Sequence, residues 1–301
     1  MFPDARDSLR TVRDLLRFGV SRFNEARLFF GHGSDNALDE VAYLILHSLH
    51  LPLDKLDAFL DAKLTPGEVA AVLELFEQRI ERRVPAAYLT KEAWLGDYRF
   101  YVDERVIVPR SHIAQLLAEE LSPWVADADA VTQALDLCTG SACLAILLAQ
   151  AFPAAQIDAT ELSPDALAVA EINVREYGLD ARVKLHLGDL FQGLGKTRYQ
   201  VIVSNPPYVD AAAMAALPAE YRAEPQMALA AGNDGLDVVR RILAQAARHL
   251  TPDGILIVEV GRDRAALEAA FPSLPFTWIS TAAGDDLVFC LGADQLAGVA
   301  A

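Results

Sequence analysis

Cysteine is scarce in this chain: Cys138, Cys143 and Cys290 are the three in 301 residues, and none forms a CxxC pair. A disulfide framework or a cysteine zinc site is therefore not expected, and the thiols read as reduced and structural. Long apolar runs are missing too. The opening residues carry Asp4, Arg6, Asp7 and Arg10 with no apolar stretch behind them, so the expectation is neither a signal peptide nor a membrane anchor, and a cytoplasmic location. Positive charge is also in short supply, with 26 Lys and Arg against 42 Asp and Glu and a formal net charge of −16. Affinity for nucleic acid rests on neutralising phosphates, so direct nucleic-acid binding is not required of this chain, and a basic protein is the easier partner. Internal repeats and low-complexity tracts are absent as well. At 53% hydrophobic and 23% charged residues, the composition suits two folded domains better than one oversized core or a disordered chain.

What is present falls into three stretches. Residues 1–85 read as a small helical domain, with Val41, Leu44, Ile45 and Leu49 at helical spacing and turn signals at Gly31-His32-Gly33 and Thr65-Pro66-Gly67. Residues 86–110 change pattern: Trp94-Leu95-Gly96, Phe100-Tyr101-Val102 and Val106-Ile107-Val108 before Pro109 predict a β-hairpin linker. From 111 to 301, short apolar runs alternate with helical stretches, as in a parallel sheet wrapped by helices. The predicted strands are Ala134–Leu137, Gln156–Thr160, Val183–Leu187, Gln200–Ser204, Ile255–Val260, Thr277–Ser280 and Leu287–Leu291. Only Thr281 to Asp286 separate the last two, which is too short for a helical crossover, so they should pair as an antiparallel hairpin. Seven strands ending this way resemble the methyltransferase variant of the doubly wound α/β sheet.

Chemistry is expected at the carboxyl ends of these strands, where open sheets bind ligands. After the first strand, Asp136-Leu137-Cys138-Thr139-Gly140-Ser141-Ala142 makes a tight strand-to-helix turn whose backbone N–H groups can approach a nucleotide-like ligand. With one glycine the turn is weak evidence by itself. Glu161 ends the second strand about 20 residues past Gly140, where an acid accepts hydrogen bonds from ribose hydroxyls. After the third strand, Asp189 completes a cofactor set, because a carboxylate there can receive the adenine exocyclic amine.

The strongest signal follows the fourth strand: Asn205-Pro206-Pro207-Tyr208. An amide or exocyclic nitrogen has its lone pair delocalised, so it attacks a sulfonium methyl poorly unless held in line. Two N–H donors call for two acceptors. The Asn205 side-chain oxygen and the Pro206 carbonyl supply them, the prolines fix the loop, and Tyr208 can lie against the flat face of the acceptor. Elsewhere, His47 and His50 could share a helix face but need a further ligand from another element, so no metal is expected. Glu259-Val260-Gly261 ends the fifth strand, and an acid there before a glycine turn reads as structural.

Together the tetrapeptide, the Asp136–Gly140 turn, the stretch Tyr101 to Arg110 and Ala231-Gly232-Asn233-Asp234-Gly235-Leu236-Asp237 resemble the bacterial protein-(glutamine) methyltransferases over nearly the whole chain. Phe30 to Glu40, Val84 to Thr90 and Pro109-Arg110-Ser111 look like the branch that methylates the third large-subunit (50S) ribosomal protein rather than the branch acting on peptide release factors. That resemblance implies a seven-stranded Rossmann-like class I methyltransferase sheet with a small N-terminal helical domain. It implies S-adenosylmethionine as cofactor, held by Asp136, Cys138, Thr139, Gly140, Ser141, Ala142, Glu161, Asp189, Leu190 and Asn205. The acceptor glutamine is expected on Asn205, Pro206, Pro207 and Tyr208. Adenine or guanine exocyclic-amine methyltransferases use related loops, but usually with a basic groove that this acidic chain lacks. One departure stands out: Ala142 occupies a place where the family has glycine, so either its Cβ crowds the cofactor or the backbone there avoids positive φ.

Overall fold

The structure, a computed structural model, describes residues 2–296, so the predicted span 111–301 runs beyond the described residues at its end, from 297 to 301. The chain divides into two compact units. One runs up to Ala93 and takes in Val102–Glu104 and the distant segment Pro218–Glu224; the other holds Trp94–Tyr101, Arg105–Leu217 and the chain from Pro225 onward.

The first unit is helical. Thr11 and Thr65 open the helices Val12–Glu25 and Pro66–Glu81 with capping boxes, and Asn36 caps Ala37–Ser48. Each such cap is worth about 1 kcal/mol because it satisfies N–H groups the helix leaves unpaired. Leu15, Phe23, Val41, Leu44, Ile45, Val72, Leu73 and Phe76 meet in the core. Gly19 permits the close approach of these helices, since a Cβ there would lie 2.7 Å from both Phe76 and Val41. A buried charge cluster adjoins this core. Arg79, 1% exposed, donates to Glu40 at 2.7 Å, to the Phe29 carbonyl at 2.8 Å and to Glu220 at 3.4 Å. Glu220 also accepts from the Phe29 N–H at 3.1 Å and from Arg83 at 3.3 Å, which fastens the Pro218–Glu224 segment into the helical unit. His47 lies within Ala37–Ser48, whereas His50 falls past its end at φ +53°, so the two do not share a helix face as their spacing allowed.

Strands β1 (Glu92–Leu95) and β2 (Tyr98–Tyr101) form a two-stranded hairpin. The second unit is built on a seven-stranded sheet of β3 (Gln133–Leu137), β4 (Gln156–Glu161), β5 (Val183–Leu187), β6 (Tyr199–Ser204), β7 (Leu250–Glu259), β8 (Thr277–Thr281) and β9 (Gly284–Gly292). Their order is β5-β4-β3-β6-β7-β9-β8; all pairings are parallel except those of β9 with β7 and β8. This is the class I methyltransferase sheet, with the expected terminal hairpin. Six of the seven strands are longer than predicted, most of all β7, which begins at Leu250, and β9, which begins at Gly284, both through residues of low strand propensity. Leu135, Leu137, Ile202, Leu256, Val258, Phe289 and Leu291 fill the core on one side of the sheet.

The topology fixes where a ligand can bind. β3 comes first in the sheet sequence, yet β4 lies on one side of it and β6 on the other, so the connections leave in opposite directions and open a crevice at the carboxyl ends. Leu137 pairs with Ser204 and Thr160. The residues that follow, Cys138, Asn205 and Glu161, are therefore brought to one rim. Asn173, fully buried on the helix Pro164–Glu176, ties the hairpin to this rim: its amide donates to the Tyr101 and Ser141 carbonyls at 3.0 and 2.9 Å, and its oxygen accepts from the Tyr101 N–H at 2.8 Å.

Candidate active site

At the switch point lies a cleft of about 1090 Å³, open solvent at its mouth included. Of the residues expected at the site, Cys138, Thr139, Gly140, Ser141, Glu161, Asp189, Leu190, Asn205 and Pro207 line it. Asp136, Ala142, Pro206 and Tyr208 are not part of the lining; Asp136 and Ala142 are fully buried, whereas Tyr208 is half-buried.

The turn after β3 takes an alternating course, with Cys138, Gly140 and Ala142 at φ +59°, +57° and +64°. Left-handed conformations suit glycine and cost an ordinary residue about 1–2 kcal/mol, so this turn carries strain at two of its three positions. Ala142 is thus in the positive-φ region, which removes the second of the two alternatives offered for it, and it is fully buried and not part of the cleft lining. Gly140 donates its N–H to Glu161 at 2.9 Å, and a Cβ built on Gly140 would meet nothing within 4 Å, leaving room for a ligand against the backbone. Asp136 sits beneath the turn, fully buried, and accepts from the Thr139 hydroxyl at 2.5 Å. Burial pushes its carboxyl up to about 7. Burial likewise pushes the Cys143 thiol up to about 12 and that of Cys138 higher, so neither is a thiolate nucleophile.

Glu161 uses one carboxylate oxygen for Gly140 and the other for the Ser163 N–H, 2.9 Å away. Each oxygen keeps a second acceptor direction for a ligand. Ser163 caps the helix Pro164–Glu176, which starts with proline at its first position as the sequence indicated. Asp189 is less free than predicted, because Arg241 of the helix Asp237–Ala246 pairs with it at 2.6 Å. Periodicity singled out nothing about Arg241, since only folding brings it 52 positions back along the chain to Asp189.

Across the cleft, Ser204 anchors the tetrapeptide by donating to the Leu137 carbonyl at 2.9 Å. The Asn205 side-chain oxygen is buried and has no hydrogen-bond partner among the described residues. An unpaired buried acceptor costs about 1–3 kcal/mol, and Asn205 lines the cleft, so a donor on a bound molecule would offset that cost. Tyr208 donates to Glu259 at 3.4 Å. Arg105, Ile107, Arg110, Met227 and Val238 also line it; of these five the sequence pattern flagged only those in the stretch from Arg105 to Arg110. Among the described residues, no group of three His, Cys, Asp or Glu side chains comes together as a metal would need, and no helix is long and apolar enough to cross a membrane.

Residues 113–221 match the family model described as "Methyltransferase small domain". The chain is 58% identical over 298 residues to the ribosomal protein uL3 glutamine methyltransferase of Burkholderia pseudomallei, covering 97% of each chain. Its identity to the protein of that name from Neisseria gonorrhoeae is also 58%, covering 99% of each. Among solved structures, the hMettl16 catalytic domain in complex with MAT2A 3'UTR hairpin 1 superposes with a TM-score of 0.54 at 16% identity, covering 84% of this chain and 91% of that one. At that identity the likeness speaks for the fold alone.

Proposed function

Because this chain belongs to the family of ribosomal protein uL3 glutamine methyltransferases, we propose that it transfers a methyl group from S-adenosylmethionine to the side-chain amide nitrogen of a glutamine in ribosomal protein uL3, in the cytoplasm. The observation that carries this reading is the Asn205 oxygen, a buried acceptor without a partner among the described residues, on a residue that lines a cleft whose other wall suits a nucleoside. The cleft fits the cofactor on its own residues: Glu161 has acceptor directions free for two ribose hydroxyls, and Gly140 leaves its backbone open to a close ligand. Thr139, Ser141, Cys138 and Leu190 shape the remaining wall, and Asp136 with Ala142 supports it from behind.

When bound, S-adenosylmethionine supplies a sulfonium carbon as electrophile. The chain supplies orientation and field. Asn205 Oδ1 and the Pro206 carbonyl accept the two N–H groups of the glutamine amide, which turns the nitrogen towards the electrophile and favours the positive charge that builds on it. Pro206 and Pro207 hold the loop in that shape and offer no competing N–H. Tyr208 covers the flat face of the amide and keeps water from it. Recognition of the acceptor protein falls to the helical residues 1–85, with 86–110 as linker and the chain from 111 onward as the methyltransferase domain. A net charge of −16 draws a basic ribosomal protein by long-range attraction, which weakens as salt rises.

Deleting the gene and weighing the ribosomal proteins by mass spectrometry tests the reading. Protein uL3 should lose the mass of one methyl group while the peptide release factors keep theirs. Loss from the release factors with uL3 unchanged overturns the choice of acceptor. In lysate, label transferred from the cofactor should survive nuclease and disappear with protease; the reverse outcome makes the acceptor a nucleic acid.

A further inference from the structure

Glu259 ends β7 with its side chain 1% exposed, and every oxygen of that carboxylate is in use. One accepts from the Ser111 hydroxyl at 2.7 Å and the His112 N–H at 2.9 Å; the other accepts from the Tyr208 hydroxyl at 3.4 Å. Such an acid is costly to bury, and burial does push its carboxyl above the usual range. A fold that needed only packing here would place a leucine or methionine.

The three donors come from two places that meet at the cleft. Ser111 lines the cleft beside Arg105 and Arg110, and Tyr208 ends the loop whose Asn205 and Pro207 line the same cleft. Gly261, two residues past Glu259, stands at φ +56° directly against the Tyr208 ring, where a Cβ would lie 2.7 Å from Cε2. Glu259 holds the hydroxyl end of the tyrosine and Gly261 leaves space for its edge, so the two restrict the ring at both places. Resting on the proposed reading of this cleft, we propose that Glu259 is a positioning residue that sets the Tyr208 ring against the acceptor glutamine and locks the Ser111 wall to the same point.

The test is a set of variants assayed on a glutamine-containing peptide of uL3, with kcat and KM measured and S-adenosylhomocysteine affinity read by calorimetry. Glu259→Ala should raise the peptide KM about 3–10-fold, the scale of one hydrogen bond, with S-adenosylhomocysteine affinity within about 2-fold. Glu259→Gln, which can still bond the tyrosine and Ser111, should restore most of that loss. Tyr208→Phe should raise KM alone but add nothing in the Glu259→Ala background, because the two act through one bond. Additive effects, or a loss of S-adenosylhomocysteine affinity with peptide KM unchanged, overturn the proposal. If Glu259→Ala does not fold, Tyr208→Phe decides by itself: an unmoved KM overturns it. Asn205→Ala is the control for the underlying reading. If that variant turns over normally, both fall; if it is inactive while the KM values stay put, only the role of Glu259 falls.

Discussion

The Asn205 oxygen has opposite value in the resting protein and in the reaction, and one substitution separates the two. At rest it is a buried acceptor without a partner among the described residues, a cost of about 1–3 kcal/mol. Asn205→Ala removes that cost along with some packing of the carboxamide, so a net gain of about 1 kcal/mol is the reasonable scale. In a chain of this size that raises Tm by about 2–4 °C. In the transition state the same oxygen holds the reacting nitrogen, and losing one such contact lowers turnover by ~10²-fold or more, about 2.7 kcal/mol. The expected signature is therefore a nearly inactive enzyme that melts no earlier than the unaltered one. Asn205→Asp should not recover activity, because a carboxylate brings a full charge beside the electrophile. Labelled methyl transfer to the uL3 peptide and a thermal melt on the same preparation read both quantities. Near-normal turnover would refute the assignment, and a melting temperature several degrees lower would show that the side chain holds the fold instead.

Glu161→Ala should weaken S-adenosylhomocysteine binding by ~1.5–3 kcal/mol if charged hydrogen bonds are lost, and Glu161→Gln, which keeps one acceptor for Gly140 or Ser163, should fall between; unchanged affinity by calorimetry sinks the assignment. Ala142→Gly relieves a residue at φ +64°, worth about 1–2 kcal/mol, but gives up a buried methyl at about 0.8 kcal/mol and gains unfolded-state entropy at about 0.4–1 kcal/mol. Its stability should stay within about 1 kcal/mol of the parent and its cofactor affinity unchanged; a clear gain in affinity would mean the methyl does reach the ligand. Asp136 has its carboxyl raised from 3.8 to about 7 by burial, so its contribution to stability is fully present below about pH 4 and is lost as pH rises through about 7. Asp136→Asn stays neutral, and its Tm relative to the parent should climb between about pH 4 and 7 and level off above; a constant difference contradicts the buried titration.

The seven alternating segments, the terminal hairpin and the loop Asn205 to Tyr208 were legible in the sequence because each rests on local physics. Strand and helix periods show within ten residues, a six-residue gap allows only a hairpin, and two prolines after asparagine constrain a loop wherever it lies. Parallel strands in alternation then carry Gly140, Glu161 and Asn205 to one rim, so the cleft was legible as well. Burial and partnership were not. Asp136 and Glu161 look alike as acids at strand ends, yet one faces inward under the Thr139 hydroxyl and the other faces the cleft. Glu220 reads as an ordinary loop acid until folding closes it on Arg79, 141 positions away, and Glu259 reads as structural until Ser111 and Tyr208 arrive from either side of it. Which side chain is desolvated, and which donor reaches it, depends on contacts between segments far apart in the chain, and a local pattern carries no record of them.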